Sequence, residues 1–173
     1  MELTPFSKAD IAQLIKWIDS PQLNYLWSGP VFQFPLTEAQ IIDHYKQKEV
    51  IPYLCQVDGR NAGYIELFRQ GGGEFRLCRV FISAPFRGQG YSHKLIDLAI
   101  HKACAEFGAN KLSLAVFSQN TPAKRCYHSL GFVTTKVESG TRNFNGEIWD
   151  LEIMEKALPT STLPASSHYL TSI

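Results

Sequence analysis

A glycine-containing turn between a predicted strand and a predicted helix is the strongest chemical signal in the sequence. Residues 80–92 read VFISAPFRGQGYS. The first amides of a helix have no partner within the helix and carry a partial positive charge. Gly88 and Gly90 let this backbone approach an anion closely, and Arg87 adds a fixed cation. The segment therefore predicts a binding site for a pyrophosphate group.

Two other phosphate motifs are excluded by residue type. A Walker loop requires G-x-x-x-x-G-K-[ST], which is absent, and a dinucleotide fingerprint requires glycine at position 93, which is His93. Taken alone, residues 80–92 could still be an ordinary glycine-rich turn between a strand and a helix.

A second segment with chemical potential lies further along the chain. Residues 120–132 read NTPAKRCYHSLGF. By itself, Tyr127 in this segment would be interpreted as a helix aromatic packed on the core, with its hydroxyl hydrogen-bonded.

Together, the two segments resemble motifs of the GNAT superfamily of N-acetyltransferases. The family pattern [QR]-x-x-G-x-[GA] falls on Arg87, Gly90 and Ser92, with serine where the family prefers glycine or alanine. The family pattern N-x-x-A-x-x-x-Y-x-x-x-G-F falls on Asn120, Ala123, Tyr127, Gly131 and Phe132. Residues 27–30 and 79–82 also resemble the ribosomal-protein acetyltransferase branch. The resemblance covers residues 3–156.

This resemblance implies a fold class and a cosubstrate. The fold is α/β (α+β mixed), with a mostly antiparallel mixed sheet of about six to seven strands, a splayed parallel central pair and about four flanking helices. The cosubstrate is acetyl-CoA, without a metal, and Tyr127 would protonate the departing thiolate. The residues implied to bind the cosubstrate are Val80, Phe81, Ile82, Arg87, Gly88, Gln89, Gly90, Tyr91, Ser92, Asn120 and Tyr127.

A general base for the amine is harder to identify. Some family members use a glutamate on the strand after the long helix, but residues 111–117 read KLSLAVF and contain no acid. Glu66 is a weak substitute: alternation places it with Tyr64 and Phe68 on one strand face, where a solvated carboxylate is the simpler interpretation. Water could relay the proton instead. The histidines near the motifs suit exposed helix positions: His93, His101 and His128.

The predicted elements place both motifs at the ends of strands. A helix follows the capping box Ser7–Asp10 and stops at Ser20-Pro21, and a second helix starts at Thr37. Residues 22–35 are predicted to be an aromatic loop. The remaining predictions are strands at 52–57, 62–68, 74–82, 111–117, 132–138 and 146–154, and helices at 90–107 and 121–129. The helix between strands 74–82 and 111–117 predicts that these strands are parallel.

Length, charge and cysteine content indicate which classes of protein the sequence fits. The 173 residues fit one domain, predicted as 1–157 with an extended tail at 158–173. A net charge of +1, from 17 basic and 16 acidic residues, argues against a nucleic-acid partner. The four cysteines lack the spacing of a zinc or redox site. No signal peptide or membrane span is apparent, so a cytoplasmic location is predicted. The oligomeric state is predicted to be a monomer or a homodimer.

The predicted function is transfer of an acetyl group from acetyl-CoA to a primary amine by direct attack in a ternary complex. The alternatives are a non-catalytic acyl-CoA-binding regulatory module and an interaction protein that kept the fold. Residues 25–34 and 139–145 are expected to bound the acceptor. They contain aromatic residues and Arg142 but no acid, which favours a protein or peptide amine, or a small neutral amine, over a polyamine.

Overall fold

A seven-stranded sheet forms the frame of the protein in the computed structural model, which describes residues 1–159. Its strand order is β1-β2-β3-β4-β5-β9-β6. The strands are β1 (Glu2–Pro5), β2 (Val50–Val57), β3 (Arg60–Gly71), β4 (Glu74–Ile82), β5 (Lys111–Phe117), β6 (Val133–Glu138) and β9 (Leu151–Ala157). A separate small hairpin pairs β7 (Asn143–Phe144) with β8 (Glu147–Ile148). The helices are α1 (Ile11–Trp17), α2 (Pro21–Ser28), α3 (Glu38–His44), α4 (Tyr91–Phe107) and α5 (Thr121–Ser129).

The central strands β4 and β5 are parallel, whereas the other neighbours in the sheet are antiparallel. Their pairing runs from Glu74 opposite Lys111 to Leu77 opposite Leu114 and then stops. The carboxyl-terminal halves of β4 and β5 therefore diverge. The predicted fold class, including the splayed parallel pair, is confirmed.

Two hydrophobic layers cover the two faces of the sheet. On one face, α4 buries its apolar stripe against β-strand residues, with Leu95, Ala99 and Ala103 at 0% exposure. On the other face, α1, α2 and α3 pack around Tyr64 and Phe81. Because both faces are covered, most side chains in the middle of β3 are buried on either side of the strand.

The segment after Ser20 differs from the predicted loop. Ser20 accepts a hydrogen bond from the amide of Leu23 at 3.2 Å, and Pro21 occupies the first helical position, so α2 begins where the sequence was predicted to stop a helix. Proline has no N–H, but the first turn does not need one. The predicted start at Thr37 is confirmed, because its hydroxyl caps α3 at the amide of Gln40.

The carboxyl-terminal strands also differ in part. The strand predicted at 146–154 is divided into β8 and β9, with Trp149 and Asp150 between them. Leu158, assigned to the extended tail, is buried, and its amide donates to the carbonyl of Asn110 at 2.8 Å. The rest of the predicted tail, residues 160–173, lies outside the described residues. No helix in residues 1–159 has the length and apolar character needed to span a membrane.

A bulge in β4 changes which residues face each layer. Tyr64 is opposite Phe81, but Glu66 is opposite Cys78, so β4 contains one extra residue between these pairs. Arg79, within the bulge, has φ = 53°, a left-handed conformation that costs a non-glycine residue about 1–2 kcal/mol. The bulge lies beside the point where β4 and β5 diverge.

Candidate active site

A cavity of about 770 Å³ opens between the diverging ends of β4 and β5. The end of α2 and the start of α5 complete its wall. Among the predicted cosubstrate residues, those that line it are Val80, Phe81, Ile82, Arg87, Ser92, Asn120 and Tyr127. The structure therefore brings the two sequence motifs to one cavity. The other predicted residues, Gly88, Gln89, Gly90 and Tyr91, belong to the turn and the first residue of α4 and are not among its lining residues.

The turn before α4 has the backbone conformation that its glycines predict. Gly88 and Gly90 have φ of 72° and 77°, which side-chain-bearing residues rarely adopt. Gly90 is the N-cap of α4 and supplies no side-chain cap, so the side chains of residues 1–159 leave the first amides of the helix free for an anion. Arg87 is fixed beside the turn, because its Nε donates to the carbonyl of Ile82 at 2.8 Å. Its guanidinium carbon also lies 5.4 Å from the ring centroid of Phe81.

Asn120 is the N-cap residue of α5, and Tyr127 lies in the last turn of this helix. The side-chain oxygen of Asn120 accepts from the amide of Ala123 at 3.4 Å and caps the helix. Its amide nitrogen makes no hydrogen bond to residues 1–159 and can donate to a ligand in the cavity. Tyr127 is 7% exposed, and burial raises the pKa of its phenol, with Cys126 and Cys78 adding smaller contributions. The phenol therefore keeps its proton at neutral pH.

Two cysteines line the same cavity as Tyr127. Burial raises the pKa of the Cys78 thiol to about 11, and it raises the pKa of the Cys126 thiol as well. The nucleophilic form of cysteine is the thiolate, so both side chains are poor nucleophiles at neutral pH. This disfavours a covalent acetyl-cysteine intermediate.

Glu66 is buried, and the interpretation of a solvated strand carboxylate is wrong. The alternation with Tyr64 holds, but α1 and α3 cover that face, and the Glu66 side chain is 1% exposed. Oε1 accepts from the Tyr64 hydroxyl at 2.6 Å. Oε2 lies 3.1 Å from Nε2 of His44 and 3.3 Å from NH1 of Arg79. Tyr64, His44 and Arg79 therefore all contact the carboxylate at the same time. Glu66 is not among the residues that line the cavity.

The contacts of Glu66 extend into a larger buried network. The Tyr64 and Tyr45 hydroxyls lie 2.6 Å apart, and Nε2 of Gln47 lies 3.2 Å from Nδ1 of His44. Burial, followed by the Glu66 charge, raises the pKa of Tyr64 well above its usual value. Tyr64 therefore remains a donor to Glu66. Networks of this kind fix side-chain positions when every member has a partner.

Arg79 connects this network to the cavity. Its side chain is 11% exposed and lines the cavity. Its backbone carbonyl accepts from Nε1 of Trp27 at 2.8 Å, and its guanidinium carbon lies 5.6 Å from the ring centroid of Phe32. Its Nε is buried with no hydrogen-bond partner among the described residues. An unpaired buried donor costs about 1–3 kcal/mol, which favours a functional explanation.

The positions of His44 and Arg79 beside Glu66 are not evident from the sequence. His44 is 22 residues from Glu66, and no spacing rule joins a helix end to a strand interior across that interval. Arg79 interrupts an otherwise apolar part of β4, which was the available signal, but only the bulge brings its side chain to Glu66.

Aromatic side chains from the predicted acceptor loops pack near the cavity. Tyr25 stacks on Phe117 with ring centroids 5.5 Å apart and also contacts Phe144 and Trp149. Residues 27–31 and Arg142 line the cavity itself. Glu147 lines a smaller recess of about 330 Å³ that shares Leu26, Asn120 and Pro122 with the main cavity. Among the described residues, no histidine lines either space.

Comparison with known proteins gives the same assignment as the two motifs. The model of the acetyltransferase (GNAT) family matches residues 14–132. Mycothiol acetyltransferase of Corynebacterium glutamicum is 31% identical over 125 residues, which are 70% of this chain and 41% of that protein. The chain thus spans about two fifths of the length of this relative.

Solved structures share the fold at lower sequence identity. Spermidine N-acetyltransferase from Vibrio cholerae, in complex with CoA and spermine, has a TM-score of 0.78 and 17% identity, covering 90% of this chain and 94% of that chain. Ribosomal-protein-alanine N-acetyltransferase from Brucella melitensis has a TM-score of 0.73 and 17% identity, covering 91% and 100%. At this identity, the likeness concerns the fold alone. Together with the family match and the two motifs that meet at one cavity, it establishes that the chain belongs to the acetyltransferase (GNAT) family.

Proposed function

We propose that the protein transfers the acetyl group of acetyl-CoA to a primary amine by direct attack in a ternary complex. The main support is the cavity between β4 and β5, which is lined by residues of both motifs. The turn at Gly88 and Gly90 would bind the pyrophosphate with backbone amides. The edge of β4 that faces β5 would bind the amides of the pantetheine arm at residues 78–82, since β5 pairs with β4 only as far as Leu77. The carbonyls of Arg79 and Ile82 already accept from Trp27 and Arg87, which leaves the other backbone groups of this edge for the ligand.

The proposed transfer needs neither a metal ion nor an acyl-enzyme intermediate. The amine nitrogen attacks the thioester carbonyl, a tetrahedral intermediate forms, and the C–S bond then breaks to leave an amide and the thiolate of coenzyme A. Tyr127 gives its phenolic proton to the sulfur and recovers a proton from solvent. Its raised pKa keeps it in the acid form that this step needs. The high thiol pKa of Cys78 supports direct attack over a covalent intermediate.

Water removes the proton from the amine in this proposal. An alkyl ammonium has a pKa of about 10 and must lose a proton before attack. Among the described residues, none of those that line the main cavity is an aspartate, a glutamate or a histidine. The arginines on its wall disfavour a second positive charge, and this lowers the pKa of a bound ammonium. Glu66 then acts by positioning Arg79.

Acetyl-CoA is expected to raise the melting temperature of the protein, because it binds the native state. The Gly90→Val variant should lose most of this shift, since the valine side chain would occupy the space in which the pyrophosphate meets the amides of α4. The measurement is thermal unfolding with and without acetyl-CoA, accompanied by release of free thiol when amines are added.

Gly72→Val is the matched control for this experiment. Gly72 also has a positive φ, of 60°, with open space at its Cβ, but it lies in the turn between β3 and β4. Both variants therefore carry backbone strain, whereas only Gly90→Val should lose the response to acetyl-CoA. An equal shift in the two variants would show that the pyrophosphate binds elsewhere.

A further inference from the structure

The charged residues that line the cavity are all positive. They are Arg76, Arg79, Arg87 and Arg142, and none of the aspartates, glutamates or lysines in residues 1–159 lines it. Arg87 follows β4 and belongs to the turn that faces the pyrophosphate. Three arginines therefore remain for the other parts of the wall. A surface of one sign in a low-dielectric cleft attracts ligands of the opposite sign and repels a polycation.

Arg79 is the best-positioned of these three arginines. It lies in the β4 bulge, one residue before Val80, whose backbone is proposed to face the pantetheine arm. Trp27 holds its carbonyl, and Glu66 lies on one side of its guanidinium, with NH1 3.3 Å from Oε2. Glu66 is in turn fixed by Tyr64 and His44. The guanidinium is thus held in one orientation before any ligand binds.

Arg79 has donors that its protein partners do not use. A guanidinium carries five N–H groups in a planar fork that matches a carboxylate. Among the described residues, Glu66 is the only carboxylate within 4 Å of Arg79, and it approaches one of the three nitrogens. A second carboxylate could therefore bind at the terminal nitrogens, since Nε is buried.

The other two arginines have weak protein contacts. Nε of Arg76 lies 3.5 Å from Oγ of Ser113, and no carboxylate among the described residues lies within 4 Å of this side chain. NH2 of Arg142 is 4.0 Å from Glu138, at the limit of an ion pair, and its NH1 donates to the carbonyl and the hydroxyl of Thr141 at 3.3 and 3.2 Å. Neither arginine has a carboxylate closer than 4.0 Å among the described residues.

From this arrangement, and resting on the acetyl transfer proposed above, we infer that the acceptor is a small amine that carries a carboxylate, of the amino-acid type. Arg79 binds the carboxylate, and Arg76 and Arg142 add positive charge around it. The α-amino group is separated from the carboxylate by one carbon, so an acceptor held at Arg79 places its nitrogen beside the strand that binds the thioester arm. Apolar cavity residues receive the side chain: Leu23, Leu26, Val31 and Leu151.

Matched amines test this inference with the full chain and acetyl-CoA, with thiol release as the readout. The panel contains leucine, methionine and phenylalanine, each beside its amide and its decarboxylated amine, with spermidine added. At least one amino acid is expected to exceed both its amide and its decarboxylated amine about tenfold or more in kcat/KM, because only the amino acid carries a carboxylate that can pair with Arg79. The amide has a more acidic ammonium than the amino acid, so a larger fraction of the amide is free amine at a given pH. This difference alone would make the amide react faster, which is opposite to the expected result.

Variants of Arg79 test whether this residue causes the preference for an acceptor that carries a carboxylate. Arg79→Gln should raise the KM for the preferred amino acid about 10- to 100-fold and remove the preference over its amide. Arg79→Lys keeps a cation beside Glu66 but loses the planar fork, so it should fold and show an intermediate loss. Arg69→Gln removes the same charge from an exposed arginine outside the cavity and should leave the preference unchanged.

The outcomes separate this inference from the proposed function. If acetyl-CoA raises the melting temperature but the carboxylate-bearing amines react no faster than the counterparts without a carboxylate, or do not react, the inference is overturned and the cosubstrate site stands. A preference for spermidine as the acceptor would overturn the inference in the same way. If acetyl-CoA produces neither a shift nor thiol release, the proposed function itself fails. An unchanged preference in folded Arg79→Lys and Arg79→Gln would remove Arg79 from the acceptor site.

Discussion

Tyr127→Phe is expected to lower the turnover of acetyl transfer by about 10- to 10³-fold, the scale of one general acid. The change removes one oxygen from a side chain that is 7% exposed and whose hydroxyl makes no hydrogen bond to residues 1–159, so packing should survive. The melting-temperature shift with acetyl-CoA should therefore remain near that of the parent. Steady-state kinetics should show a lower kcat with little change in the KM for acetyl-CoA.

Tyr53→Phe is the control for removing the hydroxyl of a buried tyrosine. Tyr53 is also buried, at 4% exposure, and burial raises its pKa to about 12, but it lies outside the cavity. Its replacement should leave turnover within about twofold of the parent. If Tyr127→Phe and Tyr53→Phe turn over equally fast, water or another group protonates the thiolate.

The pKa of Tyr127 also has a consequence for the parent enzyme. Because burial raises this pKa above its usual value of about 10, the phenol stays protonated through neutral and mildly alkaline pH. The rate should then rise with pH as free amine accumulates, without a decline from loss of the acid below about pH 10.

The sequence predicted the half of the site that depends on local signals. The bounds of β4, β5 and α5 follow from mainly apolar runs and helix caps, and the predicted ranges agree with the structure. The turn at Gly88 and Gly90 needs positive φ, which a sequence expresses directly as glycine. These features lie within short segments, so residue type and spacing were sufficient to find them.

The buried network around Glu66 and Arg79 depends on long-range packing, and the sequence does not express it. Glu66 was placed on the correct strand face, but whether that face meets water depends on α1 and α3. Arg79 reaches Glu66 because of one extra residue in β4, which shifts the register without a distinctive sequence pattern. The start of α2 was missed for a different reason. Ser20-Pro21 is compatible both with the end of one helix and with the start of another.

Glu66→Gln is expected to lower the free energy of unfolding by about 3–5 kcal/mol, the scale for removing one partner of a buried ion pair. The glutamine amide has one acceptor oxygen, whereas Tyr64, His44 and Arg79 all approach the carboxylate of the parent. Its nitrogen would face donors, and the buried Arg79 would lose its counter-charge. Urea unfolding measures the change, and the variant should be studied below its lowered melting temperature.

Glu106→Gln is the matched control for stability. Its carboxylate pairs with Lys102 at 2.6 Å on the surface of α4, with the Glu106 side chain 48% exposed. Exposed pairs of this kind contribute about 0–1 kcal/mol, so this variant should unfold close to the parent. A stability loss no greater for Glu66→Gln than for Glu106→Gln would mean that the buried network does not hold Arg79 in place.

Kinetics of folded Glu66→Gln distinguish a base from a positioning residue. If Glu66 holds Arg79 and water takes the proton, the variant should have a higher KM for the acceptor, while its rate rises with pH along the same curve as the parent. A general base would give a different result, because without a carboxylate the plateau of the pH–rate profile would fall and the KM would change little. A loss of more than about tenfold in kcat, with acetyl-CoA affinity and acceptor KM unchanged, would therefore assign the proton transfer to Glu66. The burial of Glu66 beside Arg79 favours the first result, since the carboxylate does not line the cavity.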